Sequence, residues 1–456
     1  MADTIAAIAT GGAVSAIGII RISGDGAIAV ADKMFHPSGG LRLPEAEARR
    51  MYYGELYGAD GGLLDLCLCC VSREPNSYTG EDTVEFHCHG SPVVLSEALR
   101  TLFVHGARQA EAGEFTKRAF LNGRMELTRA EAVIDLIQAE TPAAARNAAG
   151  QLRGAIGARL EAIYSDLLNV MAHFHAAIDY PDEDIDEFEL QVYLYMLKDA
   201  RDELNWMQST HERGKILREG VPTAIVGRPN TGKSSLLNAL LGYSRAIVTD
   251  VPGTTRDTVE EKILFGGVQL RLIDTAGIRK TVDHVEKIGV ERTLDALRGA
   301  GLAILVLDGS EPLRDEDYEA FRSIPPDIPK LIAVNKSDLR SAFDAEELAA
   351  FGSPFRRISA QTGAGLDTLE EDVKNTFPGL STPPDGELIT NARQYDAILR
   401  ARDGINRAAH AINASVTPDA VLTEIESALI AIGETIGKTM REDITTRIFE
   451  RFCVGK

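Results

Sequence analysis

The stretch VPTAIVGRPNTGKSS, residues 221–235, restricts what this chain can fold into more than any other. An apolar run leads into Gly227-x-x-x-x-Gly232-Lys233-Ser234, and SLLNALLG follows with apolar residues at helical spacing. The glycines let the backbone turn tightly and aim its N–H groups at one point, where the N-terminus of the next helix adds its donors and dipole. Lys233 then reaches the β- and γ-phosphates of a nucleotide and the Ser234 hydroxyl takes Mg²⁺, with Asn230, Thr231, Gly232 and Ser235 completing the loop. A strand feeding a helix through such a loop belongs to a largely parallel sheet covered on both faces. The pattern predicts a doubly wound α/β unit over residues 218–379.

Base identity comes from PKLIAVNKSD, an apolar run ending in Asn335-Lys336-Ser337-Asp338. A carboxylate there accepts from guanine N1–H and from its exocyclic amine, whereas adenine would face it with a lone pair. A site built to hydrogen-bond one group rejects analogues that lack it. GTP is therefore the expected ligand. RRISAQTG supplies a further Ser359-Ala360 turn beside the base. Between these, TDVPGTTRD runs Thr249, Asp250, Val251, Pro252, Gly253, Thr254 and Thr255, with Thr255 the second hydroxyl for Mg²⁺. VQLRLIDTAG places Asp274 near the metal and Gly277 near the γ-phosphate, with Thr275 and Ala276 between them. The next residue, Ile278, has no donor or acceptor, so another group must orient the attacking water and offset the developing charge.

The flanks read differently. Residues 1–118 mix strand-like runs (Ala16–Ile22, Leu63–Val71, Thr83–Cys88) with glycine-rich turns and a helix near Val93–His105, an α/β domain. Residues 119–217 shift to Ala, Leu, Glu and Arg at helical spacing. PGLSTPPDGE then reads as a linker, and the 380–456 stretch is helical again. The nucleotide unit thus interrupts a helical domain, at a point where insertion is tolerated. Three domains suit 456 residues at roughly 150 each.

A net charge of -20 argues against a broad nucleic-acid-coating surface and confines RNA contact to a local patch. No uncharged apolar run approaches the ~18 residues of a membrane span. MADTIAAIATGG lacks the basic start of a secretory signal, and five cysteines in so long a chain make no disulfide framework. A cytoplasmic protein without membrane association is expected. LCLCC and FHCHG could suggest zinc, but Cys67 and Cys69 alternate with leucine, where Cys packs as a small hydrophobe. DYPDEDIDEF lacks the sixth-position Gly of a calcium loop and reads as a solvated helix boundary.

NSYTGED near the N-terminus, the set of nucleotide motifs and the terminal FCVGK resemble, over the whole chain, the MnmE (TrmE) family of tRNA-modifying GTPases. The resemblance implies a folate-binding-like N-terminal α/β domain, a helical domain and an inserted P-loop GTPase domain. It implies GTP hydrolysis in a complex that places an aminomethyl or carboxymethylaminomethyl group on C5 of the wobble uridine. The carbon would come from 5-formyl- or methylene-tetrahydrofolate, and the FAD-dependent partner MnmG would carry the flavin. It further implies a homodimer through the N-terminal domains, with GTPase domains that approach each other on K⁺ and GTP.

Carried over residue by residue, Asn230 with oxygens of Thr249, Val251 and Thr254 would hold K⁺ where other GTPases insert an arginine. Glu286 would orient the water that Ile278 cannot. Arg21, Glu81, Arg124 and Lys456 would contact the folate: cations pair with its glutamate tail and a carboxylate accepts from the pterin. Arg124 stands where the family carries Lys. Cys453 would act as acid, base or nucleophile in one-carbon transfer. A competing reading, a ribosome-assembly GTPase without base chemistry, keeps the motifs from Gly227 to Ala360 but has no use for a folate domain or a cysteine terminus.

Overall fold

The computed structural model describes residues 3–179, 187–244, 261–273, 297–381, 385–438, 448–450 and 452–455. Contacts divide the chain into two compact units, Met1–Ile134 with Gln151–Ala200 and Arg400–Lys456, and Asp135–Gly150 with Arg201–Leu399.

The first unit carries a seven-stranded sheet of order β3-β4-β5-β6-β2-β1-β7. Its strands are β1 Ile5–Ile8, β2 Ser15–Ser23, β3 Phe35–Pro37, β4 Met51–Tyr57, β5 Leu63–Ser72, β6 Thr83–Gly90 and β7 Arg108–Gln109. Alternation decides which side is buried: Cys67, Cys69 and Val71 of β5 point into the core while Leu66 and Leu68 stay exposed. Ile20, Ile22, Phe35, Val84 and Phe86 join that core, and helix Pro92–Val104 covers it with Leu95, Ala98 and Leu102. The runs expected at Ala16–Ile22, Leu63–Val71 and Thr83–Cys88 lie within β2, β5 and β6.

Farther along, helix Ala155–Asp179 packs on helix Pro418–Ile436. The first buries Ile156, Leu160, Ile163, Leu167, Val170 and Phe174, a stripe recurring every three or four residues, and the second offers Val421, Ile425, Ala428, Ile432 and Ile436. The sequence separating these helices contains the whole nucleotide unit.

In the second unit the sheet order is β13-β12-β11-β8-β10-β9, with β8 Val221–Val226, β9 Glu261–Phe265, β10 Val268–Leu272, β11 Leu302–Asp308, β12 Lys330–Asn335 and β13 Phe355–Arg357. All neighbours are parallel except the β9–β10 hairpin, whose Gly266 and Gly267 take φ of 65° and 74°, as a tight hairpin turn requires. Every residue of β11 is buried. Leu302, Ile304 and Val306 face one apolar core and Ala303, Leu305 and Leu307 the other, the mark of a sheet covered on both faces. Of the expected linker, Pro378–Ser381 form a short helical turn. Among the described residues no helix is long and apolar enough to cross a membrane.

Candidate nucleotide site and an N-terminal charged cluster

The loops that follow β8 and β12 leave the carboxyl ends of the parallel strands, the end at which doubly wound sheets place their ligands. Gly227, after β8, has φ of 146°, and a Cβ there would collide with the Val306 carbonyl. Gly232 has φ of 96°, and its Cβ would collide with the Asn335 side chain. Only glycine fits either place. Asn230 takes left-handed backbone, φ 65°, although it carries a side chain. Helix Lys233–Ser244 then begins, and the Lys233 ammonium donates to the carbonyls of Gly227 and Arg228, each at 2.7 Å. Burial and the nearby Arg228 charge bring its pKa down to about 8.

Asn335 joins the parts of the site. Its Nδ2 donates to the Thr231 carbonyl at 3.0 Å, and its Oδ1 accepts from the Ala360 amide at 2.9 Å. The Ser337 amide donates to the Ile358 carbonyl at 3.0 Å, and the Ser359 hydroxyl accepts from the Thr362 amide at 3.2 Å. The phosphate loop, the 335–338 loop and the 359–360 turn are thereby fixed against one another, with Ser337 and Asp338 exposed at the rim.

A second cluster lies in the first unit. Arg21 on β2 donates to Glu85 at 2.8 Å, and its guanidinium lies 5.1 Å from the Tyr78 ring centroid and 5.7 Å from that of Phe115. Glu81 accepts from the Ser23 hydroxyl at 2.8 Å and from Arg118 at 3.1 Å. Arg124 is exposed, its stem 3.2 Å from the point where a Cβ on Gly80 would sit. The chain end docks on the same unit: Gly113 donates to the Cys453 carbonyl at 3.3 Å, Val454 bridges to Ala112, and Phe449 and Phe452 are buried. Cys453 is exposed on this docked segment.

Three cysteines of the sheet, Cys67, Cys69 and Cys88, are buried in its core, and Cys70 is half-buried. Asp65, Cys67 and Cys88 bring their potential ligand atoms within 4.8 Å of one another. The Asp65 carboxylate already accepts from the Leu66 and His89 amides at 2.8 Å and pairs with the His89 ring. The Cys88 hydrogen bond and burial push the Cys67 thiol far up.

Family models match in two pieces, GTP-binding protein TrmE N-terminus over residues 4–124 and MnmE helical domain over residues 127–453. The tRNA modification GTPase MnmE of Thermoanaerobacter pseudethanolicus is 41% identical over 100% of this chain and 99% of its own. That of Alkaliphilus metalliredigens is 42% identical with the same coverage, and that of Bacillus velezensis 40% identical over 100% of both. The chain belongs to the MnmE family. A solved G domain of the T. maritima FeoB iron transporter is 28% identical over 35% of this chain and 98% of its own, with a TM-score of 0.25 too low to carry a structural argument.

Of the residues expected at the MnmE nucleotide site, Asn230, Thr231, Gly232, Lys233, Ser234, Ser235, Asn335, Lys336, Ser337, Asp338, Ser359 and Ala360 lie on these loops or on the first turn of the helix. Thr249, Asp250, Val251, Pro252, Gly253, Thr254, Thr255, Asp274, Thr275, Ala276, Gly277, Ile278 and Glu286 lie outside the described residues, as does Lys456. Arg118, which grips Glu81, and Arg228 and Asp308 beside the nucleotide loops carry no motif signature of their own. The partners that tie them to the sites, Glu81 for Arg118, Glu311 and Asp317 for Arg228 and Lys336 for Asp308, lie far off in sequence, so only the fold reveals them.

Proposed function

We propose that this chain is the GTP-hydrolysing subunit of a tRNA-modifying complex acting on C5 of the wobble uridine, with a tetrahydrofolate as carbon source. The observation that carries the nucleotide half is Asn335, which bonds at once to the phosphate loop and to the turn beside the base, so that Lys233 and Asp338 serve one ligand. A half-buried ammonium resting on its own loop carbonyls suits a polyphosphate, which replaces those carbonyls as its partner. Ser234, on the first turn, suits Mg²⁺ together with Thr255. Asn230, with Thr249, Val251 and Thr254, would hold K⁺, which supplies positive charge beside the phosphates. Glu286 would orient the water.

The folate half rests on the family and on the residues present. Arg21 and Arg124 offer cations for a glutamate tail, Glu81 is a carboxylate held ready to accept from a pterin, and the half-buried Tyr78 supplies an aromatic face. Lys456 and Cys453 belong to the same proposed site. A three-domain division at 1–118, 119–217 with 380–456, and 218–379, a homodimer, an FAD-bearing MnmG partner and a cytoplasmic location complete the reading.

Mass analysis of wobble uridine in cells lacking this chain tests the whole: C5 substituents should be missing and should return on complementation. Steady-state GTP turnover in KCl and NaCl at matched ionic strength tests the catalytic assignments. K⁺ should accelerate hydrolysis, Asn230→Ala should blunt that response, and Glu286→Ala should lower kcat by roughly 10²- to 10⁴-fold with affinity nearly unchanged. Equal rates in both salts would remove the potassium assignment.

A further inference from the structure

Among the described residues of the nucleotide loops, two with side chains hold left-handed backbone, Asn230 at φ 65° and Lys336 at φ 64°. Such a conformation is strained for a residue with a Cβ and persists where the surroundings over-determine it. Acidic side chains of one short segment, from the end of β11 to the start of helix Asp315–Arg322, supply that support at both places.

At the base side, Asp308 ends β11 with its side chain only 2% exposed, and accepts from the Lys336 ammonium at 2.6 Å. Its other oxygen accepts from the Ser310 amide at 3.0 Å and hydroxyl at 2.6 Å, which fixes the carboxylate. The Gly309 amide donates to the Asn335 carbonyl at 2.9 Å, so the backbone of the two loops is tied as well.

At the phosphate side, the Arg228 guanidinium is buried against carboxylates rather than turned toward a ligand. Its Nε donates to Asp317 at 3.2 Å and its Nη2 to Glu311 at 3.0 Å. Asp317 is itself held by the Arg314 amide at 3.0 Å, and Glu311 by the Arg314 guanidinium at 2.8 Å. The Arg228 carbonyl receives the Lys233 ammonium at 2.7 Å and the Thr231 hydroxyl at 3.1 Å. Arg228 is therefore fixed at both ends, two residues before Asn230. Its charge is matched within the protein, which leaves the phosphates to Lys233 and the loop amides.

We propose that Asp308–Asp317 is a brace that positions both halves of the nucleotide site: Asp317 and Glu311 set the phosphate loop through Arg228, and Asp308 sets the base loop through Lys336. These are positioning residues, acting on the ligand only through others. The inference rests on the guanine-nucleotide reading and adds to it which residues hold the loops in register.

The test compares binding of GDP and of inosine diphosphate, which lacks the exocyclic amine, to the full-length unaltered chain, Asp317→Asn, Asp317→Glu and Asp308→Asn, with melting temperatures alongside. Asp317→Asn should weaken both nucleotides by the same factor, about tenfold, the scale of one charge-assisted hydrogen bond, because their phosphates are identical. Asp317→Glu should recover most of that loss. Asp308→Asn should weaken GDP more than inosine diphosphate and so shrink the preference between them, because it loosens the loop that carries Asp338. Variants that bind both nucleotides as the unaltered chain does would overturn the brace. So would losses that follow a drop in melting temperature, are the same for both nucleotides in Asp308→Asn, and are not repaired by Asp317→Glu, since those describe an ordinary fold contact. An unaltered chain that fails to bind GDP would remove the nucleotide reading itself, and the brace with it.

Discussion

Lys233 shows how one residue's chemistry is set by its surroundings. Its pKa falls from 10.5 to about 8 because burial disfavours the ammonium and Arg228 adds a like charge. The unfolded chain holds that proton more tightly than the folded one, so below about pH 8 this group penalises folding, and the penalty is relieved as pH rises from about 8 toward 10.5. Nucleotide binding has the opposite sign, since phosphates pair with the charged form and must recruit a proton when the empty loop is neutral. GDP affinity should therefore fall by about tenfold between pH 7 and 9, with proton uptake seen as buffer-dependent heat in calorimetry. A flat profile would mean that the ammonium keeps its charge in the empty loop. The motif identifies this lysine; the burial that tunes it depends on Arg228, whose partners Glu311 and Asp317 stand more than eighty positions away.

At the scale of elements, legibility follows locality. The strand, glycine loop and helix around 221–244 are contiguous, and their order in sequence is their order in space. The same holds for β5, whose alternation of cysteine and leucine gives its buried face directly. The docking of the chain end is not legible in this way, because the four residues after Phe452, CVGK, are too few to show a periodicity. Its anchor is Gly113, at φ 66°, where a Cβ would sit 2.6 Å from the Phe449 carbonyl and 2.9 Å from the Phe452 side chain. Gly113→Ala should displace that segment, with a left-handed penalty of roughly 1–2 kcal/mol plus the collision. If Cys453 and Lys456 serve a folate, calorimetry should show its affinity at least several-fold weaker while GTP turnover is unchanged. Wild-type folate affinity in this variant would detach the tail from the site.

At the scale of the whole molecule, the two proposed sites fall in different compact units: Arg21, Glu81, Arg124 and Cys453 in one, the phosphate and base loops in the other. Each unit has its own sheet and its own buried apolar residues, and among the described residues the hydrogen bonds given above for each site lie within its unit. Substitutions in one should then leave ligand binding in the other almost untouched, as expected of sites without shared partners. Arg21→Ala should weaken a reduced folate through the lost charge-assisted contact, of order 1.5 to 3 kcal/mol, and leave GTP affinity unchanged. Asp338→Asn should weaken GTP by about 1 to 3 kcal/mol, the worth of a bidentate base contact, and leave folate affinity unchanged. The same variant should gain affinity for xanthosine triphosphate, which carries an exocyclic carbonyl oxygen where guanine has its amine. Both variants should nevertheless lose C5 modification of wobble uridine in cells, because the proposed reaction draws on a nucleotide cycle and a folate carbon together. Binding by calorimetry and modification by mass analysis separate these levels: an Arg21→Ala chain that binds no folate yet restores modification would show that the carbon enters elsewhere.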